Sequence, residues 1–172
     1  QEFMGLEFYV NEHVLIPRQD TETLVELVLS EHKEKNISLL DVCTGSGCIA
    51  ISLAKLGGYT DVTALDLSEE ALKVARSNGE KLLDQPVKFI KSDMFSALNP
   101  EKQYNVIVSN PPYIPSQVIE GLEPEVKDHE PRMALDGEPD GLKFYRILAE
   151  EGKKYLKNGG SIYMEIGWDQ AK

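Results

Sequence analysis

Residues 39–50 read LLDVCTGSGCIA, and this stretch decides the fold. The mostly apolar residues 39–42 predict a strand, residues 44–47 predict a turn rich in glycine, and the apolar run that follows predicts a buried helix. Gly57 and Gly58 end that helix. Glycines in the turn let the backbone approach a ligand, and the start of the helix offers free N–H groups.

The same alternation of strand and helix continues on both sides of this stretch. Further strands are predicted at 62–65, 87–90, 106–108 and 162–166, with a helix capped by Ser68 after the first of them. Upstream, residues 8–17 predict a short hairpin, and Asp20 is placed to cap a helix. Downstream, a last helix runs from about residue 142 to residue 156, and Asn158 and Gly159 are expected to end it.

The predicted strands are apolar runs more than alternating ones, which is typical of a parallel sheet covered by helices on both faces. The sequence therefore predicts an α/β fold with a doubly wound, mainly parallel sheet. Ligands of such sheets bind beyond the carboxyl ends of the strands. Gly45, Asp66, Asp93 and Asn110 all follow or end predicted strands, so we expect the site to form around them.

The glycine turn is compatible with two cofactors. Residues 45–50 satisfy the G-x-G-x-x-G/A dinucleotide pattern, and Asp66 lies at the distance expected for a carboxylate that binds ribose hydroxyls. Asp41 favours S-adenosylmethionine (AdoMet), because a carboxylate would repel a pyrophosphate but could pair with the amino group of AdoMet. This stretch alone leaves the dinucleotide open.

Asn110-Pro111-Pro112-Tyr113 directly follows the fourth of these strands. An amide nitrogen shares its lone pair with the carbonyl and is a poor nucleophile, so two acceptors on its N–H bonds would fix it and stabilise the charge that develops on methylation. The Asn110 side-chain oxygen can be one acceptor and the Pro111 carbonyl the other. Pro111 and Pro112 restrict the loop, and Tyr113 can pack against the planar amide. The tetrapeptide predicts a methyltransferase that acts on a side-chain amide or a comparable amino group, without a metal or a strong base.

Composition narrows the class of partner. The 172 residues suit one domain, and the net charge of -11 with a pI of about 4.7 gives no basic footprint for nucleic acid. Four residues separate Cys43 from Cys48, a spacing that fits neither a redox pair nor half of a zinc site. The three histidines show no metal-ligand spacing. No signal peptide and no apolar run of transmembrane length is evident, so we expect a cytoplasmic location.

The chain resembles the release factor glutamine methyltransferases, which are class I AdoMet-dependent methyltransferases with a Rossmann-like fold. These enzymes modify the glutamine of the Gly-Gly-Gln motif in peptide chain release factors. The resemblance covers nearly the whole chain and rests on residues 15–22 (LIPRQDTE), 41–54, 110–115 (NPPYIP), 130–137 (EPRMALDG), 140–142 and 145–146. The Asn-Pro-Pro-Tyr motif alone is shared with methyltransferases that act on the amino groups of adenine and guanine, so these remain the alternative.

The resemblance implies a set of site residues. The substrate glutamine is held by residues 110–113. The AdoMet site takes in Asp41, Cys43, Thr44, Gly45, Ser46, Gly47, Asp66, Leu67, Asp93, Met94, Phe95 and Asn110. Phe3 or Phe8 is expected to cover the cofactor, and Arg18 and Glu22 to organise the entrance.

Two departures from the family pattern are visible. Relatives usually carry glycine at the position of Cys43, where a side chain is tolerated if φ is negative. The family's N-terminal helical domain and last C-terminal strands have no counterpart here. The resemblance therefore implies a hairpin at 1–19 and an AdoMet-binding domain at 20–172, truncated at the edges.

Overall fold

The computed structural model describes residues 1–110 and 143–165. Five strands form a parallel sheet in the order β5-β4-β3-β6-β7, and a separate two-stranded antiparallel hairpin, β1-β2, lies at the start of the chain. The strands are β1 (Glu2–Phe3), β2 (Leu6–Glu7), β3 (Ser38–Val42), β4 (Asp61–Asp66), β5 (Lys88–Lys91), β6 (Tyr104–Ser109) and β7 (Leu156–Met164). The helices are α1 (Gln19–Glu31), α2 (Cys48–Gly57), α3 (Glu69–Leu82) and α4 (Lys143–Gly152), and a 3₁₀ turn at Lys153–Tyr155 follows α4.

The central strand shows why the sequence folds in this way. All five residues of β3 are buried, and alternate side chains enter different cores: Leu39 packs on one face of the sheet, and Leu40 and Val42 pack on the other. The first core includes Val25 and Val28 of α1 and most of the apolar residues of α2, whereas the second includes Leu148 of α4. Helices on both faces confirm the predicted α/β architecture with a parallel sheet.

The hairpin predicted at 8–17 is wrong. The hairpin forms earlier, where Met4 and Gly5 adopt φ of 53° and 78° in the turn between β1 and β2, and residues 8–18 form no strand. The segment that follows is fixed by Asn78 of α3, which is fully buried. Its Oδ1 accepts from the Tyr9 N–H at 2.7 Å, and its Nδ2 donates to the carbonyls of Tyr9 and Ser46, both at 2.9 Å. Asn78 therefore ties the N-terminal segment to the glycine turn.

Two helix boundaries also differ from the sequence prediction. Helix α1 begins one residue before Asp20 and is preceded by Arg18, whose side chain does not cap the helix, so Asp20 lies in the first turn and favours the helix through its charge. Helix α4 ends at Gly152, not at Asn158 and Gly159. Those two residues lie in β7, where the pairing with β6 shifts register between Tyr104 and Val106. Gly159 adopts a φ of 80° at this irregularity. The Asn-Gly pair was mistaken for a helix end because the same pair is common at both kinds of position.

The described part of the chain gives no support for a membrane segment or a metal centre. No helix within residues 1–110 and 143–165 is long and apolar enough to cross a bilayer. The same residues contain no group of three or more His, Cys, Asp or Glu side chains that could hold a metal ion.

Candidate active site

A cavity of about 240 Å³ opens at the carboxyl ends of the parallel strands. The ends of four of the five strands contribute to its lining: Cys43 after β3, Asp66 at the end of β4, Asp93 after β5 and Asn110 after β6. Parallel strands end at one edge of the sheet, so residues far apart in sequence meet there. All four residues around which the sequence predicted the site therefore line one cavity: Gly45, Asp66, Asp93 and Asn110.

The glycine turn is anchored to the end of β4. The Thr44 N–H donates to the Leu65 carbonyl at 2.8 Å, and the Gly45 N–H donates to Asp66 Oδ2 at 2.8 Å. Gly45 has a φ of 57° and open space where a Cβ would lie, whereas a Cβ on Gly47, at φ 85°, would lie 2.9 Å from Ile51. The first glycine thus keeps the cavity wall free for a ligand, and the second allows α2 to pack closely.

Asp66 is preorganised by backbone donors. One carboxylate oxygen accepts from Gly45 and the other accepts from the Ser68 N–H at 2.9 Å. Burial raises the pKa of Asp66, while these N–H groups act in the opposite direction and stabilise the charged form. Each carboxylate oxygen has a second acceptor position, so Asp66 can still accept from two hydroxyl groups of a ligand in the cavity.

Asp41 lies beneath the cavity and is not part of its lining. The side chain is 1% exposed; Oδ2 accepts from the Thr44 hydroxyl at 2.7 Å, and Oδ1 is buried without a hydrogen-bond partner among the described residues. Burial raises the pKa of Asp41 to about 7. The pairing of Asp41 with a cationic amino group of the cofactor therefore stays a prediction, and the unpartnered Oδ1 is the atom available for it.

The adenine side of the predicted site divides into two groups. Leu67, Asp93 and Met94 line the cavity, as do Thr44 and Ser46 of the turn. Phe95 does not line it, because its ring stacks on Tyr155 with centroids 5.0 Å apart and belongs to the second core. The resemblance implied Phe95 as a cofactor residue, but its side chain packs in the second core instead.

The N-terminal segment contributes cavity residues that, apart from Arg18, the sequence did not assign to the site. Residues 13–18 line the cavity, together with Thr21 of α1 and Phe144 of α4. Phe3 and Phe8, predicted as covers for the cofactor, are 1% and 2% exposed and pack edge to face in the first core. Val14 instead packs against Ala71 and Val74 of α3 and carries the segment across the cavity. The sequence signals for this wall were the apolar run before Pro17 and the family resemblance of residues 15–22.

Arg18 and Glu22 were predicted to organise the entrance together. Arg18 lines the cavity. Glu22 has a different role, since its Oε2 accepts from the Met4 N–H at 2.6 Å and so holds the turn of the β1-β2 hairpin against α1.

Asn110 lines the cavity and carries a buried side-chain oxygen without a hydrogen-bond partner among the described residues. Its Nδ2 donates to the Thr21 hydroxyl at 3.5 Å, and its Oδ1 is buried with no hydrogen-bond partner in the described part of the chain. A buried polar atom without a partner is costly, and in a functional site it often marks the place of a ligand group. Pro111, Pro112 and Tyr113 lie outside the described residues, as do residues 130–137 and 140–142 of the resemblance.

The backbone at Cys43 departs from the expectation. The residue has a φ of 64°, the left-handed region, and not the negative φ at which a side chain would be tolerated. Its Sγ lies 3.8 Å from the Met94 Sδ. Burial raises the pKa of the Cys43 thiol, so it remains protonated near neutral pH and is no nucleophile.

We therefore expect Cys43→Gly to raise the free energy of unfolding by about 0.5–1 kcal/mol, because glycine relieves the left-handed strain and loses few contacts. Urea denaturation measures this change. The matched control is Cys48→Gly in the first turn of α2, where glycine should lower stability by about 1 kcal/mol. A lower stability of Cys43→Gly would show that the side-chain contacts outweigh the strain.

Comparison with known proteins now adds to this geometry. Residues 19–121, more than half of the chain, match the family described as "Methyltransferase small domain". The chain belongs to that family. The methyltransferase small domain match confirms the AdoMet prediction and removes the dinucleotide reading of the glycine turn.

Curated relatives of this family member are similar over nearly its whole length. The release factor glutamine methyltransferase of Streptococcus pneumoniae is 46% identical over 171 residues, which cover 99% of this chain and 60% of that protein. The protein of the same name from Geobacter sulfurreducens is 42% identical over 172 residues, covering 100% of this chain and 60% of the relative. The chain thus spans about three fifths of the length of these relatives.

A solved structure supports the fold independently. The crystal structure of a methyltransferase from Pyrococcus furiosus superposes with a TM-score of 0.70 at 22% identity, covering 98% of this chain and 73% of that one. The class I AdoMet-dependent methyltransferase fold predicted from the sequence is confirmed.

Proposed function

We propose that this protein transfers a methyl group from AdoMet to the side-chain amide nitrogen of the glutamine in the Gly-Gly-Gln motif of peptide chain release factors. The observation that carries the proposal is that Asn110 lines the same cavity as Gly45 and Asp66 and that its buried Oδ1 has no partner among the described residues. An acceptor at this position can take one N–H of a primary amide.

The cavity residues fit AdoMet. Asp66 has acceptor positions for the two ribose hydroxyls, Gly45 leaves open space at the turn for the methionine end, and Leu67, Asp93 and Met94 form the wall proposed for the adenine. Bound AdoMet supplies an electrophilic methyl group on a sulfonium. The negative charges of Asp66 and Asp41 favour a cationic ligand.

The residues of the chain have a simple task in this reaction. Asn110 Oδ1 accepts one amide N–H, and we propose the Pro111 carbonyl as the second acceptor. The two contacts hold the nitrogen in line for attack and stabilise the positive charge that develops on it. Pro111 and Pro112 would keep the loop rigid, and Tyr113 would pack against the amide and exclude water.

Two observations favour a release factor as the substrate. The names of the relatives at 40–46% identity point to it, and the net charge of -11 suits a protein partner better than a polyanionic nucleic acid. A substrate that works on ribosomes implies a cytoplasmic reaction. We propose residues 1–19 as the segment at the mouth of the site and residues 20–172 as the AdoMet-binding domain.

Labelled AdoMet tests this function. The protein is incubated with release factor that carries either Gln or Ala in the Gly-Gly-Gln motif, and with DNA or RNA alone. We expect label only in the Gln form, with a mass increase of one methyl group on that residue. Equal labelling of the Gln and Ala forms would refute the substrate assignment, and robust labelling of nucleic acid alone would favour base amino methylation. Calorimetry with AdoMet and with NAD, run beside it, separates a failure of catalysis from a failure of cofactor binding.

A further inference from the structure

The chemistry of Asn110 depends on which end of its carboxamide faces the cavity. The oxygen accepts and the nitrogen donates, yet the two ends are nearly equal in size. An amide N–H of a substrate needs the oxygen. Packing alone does not select this orientation, so a hydrogen-bond partner with a fixed direction is required.

Thr21 supplies that direction. Its side chain is buried, and its hydroxyl donates its single proton to Glu165 Oε1 at 2.5 Å. A hydroxyl that has given its proton to a carboxylate can only accept from a third group. The group that faces it is Asn110 Nδ2, at 3.5 Å. Turning the carboxamide over would put two acceptors against each other, or would take the Thr21 proton from its charge-assisted bond with Glu165.

Glu165 is held in place by the strand that carries Asn110. The Glu165 N–H donates to the carbonyl of Ser109, the residue before Asn110, at 3.1 Å. The Glu165 carbonyl accepts from the Tyr145 hydroxyl of α4 at 2.6 Å. The carboxylate and the asparagine thus share a backbone frame, and α1 adds the hydroxyl between them.

We propose that Thr21 and Glu165 are positioning residues that orient the Asn110 carboxamide with Oδ1 toward the substrate. The relay runs from the Glu165 carboxylate through the Thr21 hydroxyl to Asn110 Nδ2. Polarisation along such a chain also makes the Asn110 oxygen a better acceptor. The proposal rests on the proposed function, because it assigns the relay to the grip on an amide substrate.

Thr21→Val removes the hydroxyl at constant shape. We expect it to lower kcat on the Gln release factor by about tenfold or more, with AdoMet affinity changed by less than about threefold, because the lost bond orients the group that meets the substrate. Thr21→Ser should restore most of the activity. Thr63→Val, the same change at a buried threonine of β4 away from the cavity, is the matched control and should leave kcat within about twofold.

A double-mutant cycle separates positioning from a general structural effect. If Thr21 acts through Asn110, Thr21→Val should cause almost no further loss of kcat in the Asn110→Ala background. An effect of Thr21→Val that is equal in the two backgrounds, or one no larger than that of Thr63→Val, would overturn the proposal.

A second measurement is independent of the substrate. The side-chain NH₂ signals of Asn110 in a ¹H–¹⁵N spectrum, identified by their loss in Asn110→Asp, should move on Thr21→Val and return on Thr21→Ser. If the wild type binds AdoMet but labels no release factor while these signals move as expected, the proposed function fails and the relay stands. If the signals of Asn110 do not respond to Thr21→Val, the relay is refuted whatever the activity.

Discussion

Replacing Asn110 by alanine is expected to lower kcat for methylation of the Gln release factor by about 100-fold to 1,000-fold, the range found when one preorganised group of a transition-state site is removed. The alanine leaves the amide nitrogen without the acceptor that fixes it and that stabilises its developing charge. AdoMet affinity should change by only a few-fold, because the ribose and glycine-turn contacts remain. Single-turnover methylation and calorimetry measure the two effects separately.

The matched control for this substitution is Asn36→Ala. Asn36 is an exposed asparagine between α1 and β3 that does not line the cavity, so its loss should leave turnover unchanged. Survival of turnover within a few-fold in Asn110→Ala would show that the amide is held elsewhere.

Replacing Asp41 by asparagine is expected to stabilise the ligand-free protein at pH 8 and to remove a pH dependence. Burial raises the pKa of Asp41 from 3.8 to about 7, so between these values the folded protein binds more protons than the unfolded chain. Stability therefore falls as the pH rises from about 4 to about 7, by about 4 kcal/mol at most. The neutral asparagine abolishes that fall. Urea denaturation at pH 5 and pH 8 measures it in both proteins.

Binding of the cofactor should show the opposite dependence on pH. A cationic ligand above Asp41 favours the charged carboxylate, so wild-type affinity for AdoMet should rise between pH 5 and pH 8, and Asp41→Asn should weaken binding and flatten the rise. Asp61→Asn is the control for the stability measurement. Ser38 and Lys102 hold the pKa of Asp61 low despite its partial burial, so the contribution of Asp61 to stability is lost as the pH falls, opposite to that of Asp41. A wild-type stability that does not decrease toward pH 8 would contradict the account of Asp41.

The strand ends could be predicted because they depend on local sequence. An apolar run followed by Gly45, Asp66, Asp93 or Asn110 identifies both a strand and its carboxyl end, and parallel pairing then brings these ends together without further information. The shared cavity follows from the same rule.

The sequence predictions that the structure contradicts failed for other physical reasons. The sign of φ at Cys43 is set by the path between β3 and the glycine turn, which the residue type does not reveal. Phe3 and Phe8 have the same apolar character as a cofactor cover, but the hairpin turn at Met4 and Gly5 directs them into the core. The bond between Thr21 and Glu165 joins residues 144 apart in sequence, and no local pattern marks such a pair.

The most direct test of the account is a crystal structure of the protein with the demethylated cofactor and a release factor peptide that contains Gly-Gly-Gln. We expect the glutamine side chain in the cavity, with its amide nitrogen at about 2.8–3.2 Å from Asn110 Oδ1 and facing the cofactor sulfur. A glutamine bound outside this cavity, or an Asn110 carboxamide that presents its nitrogen to the peptide, would contradict the account.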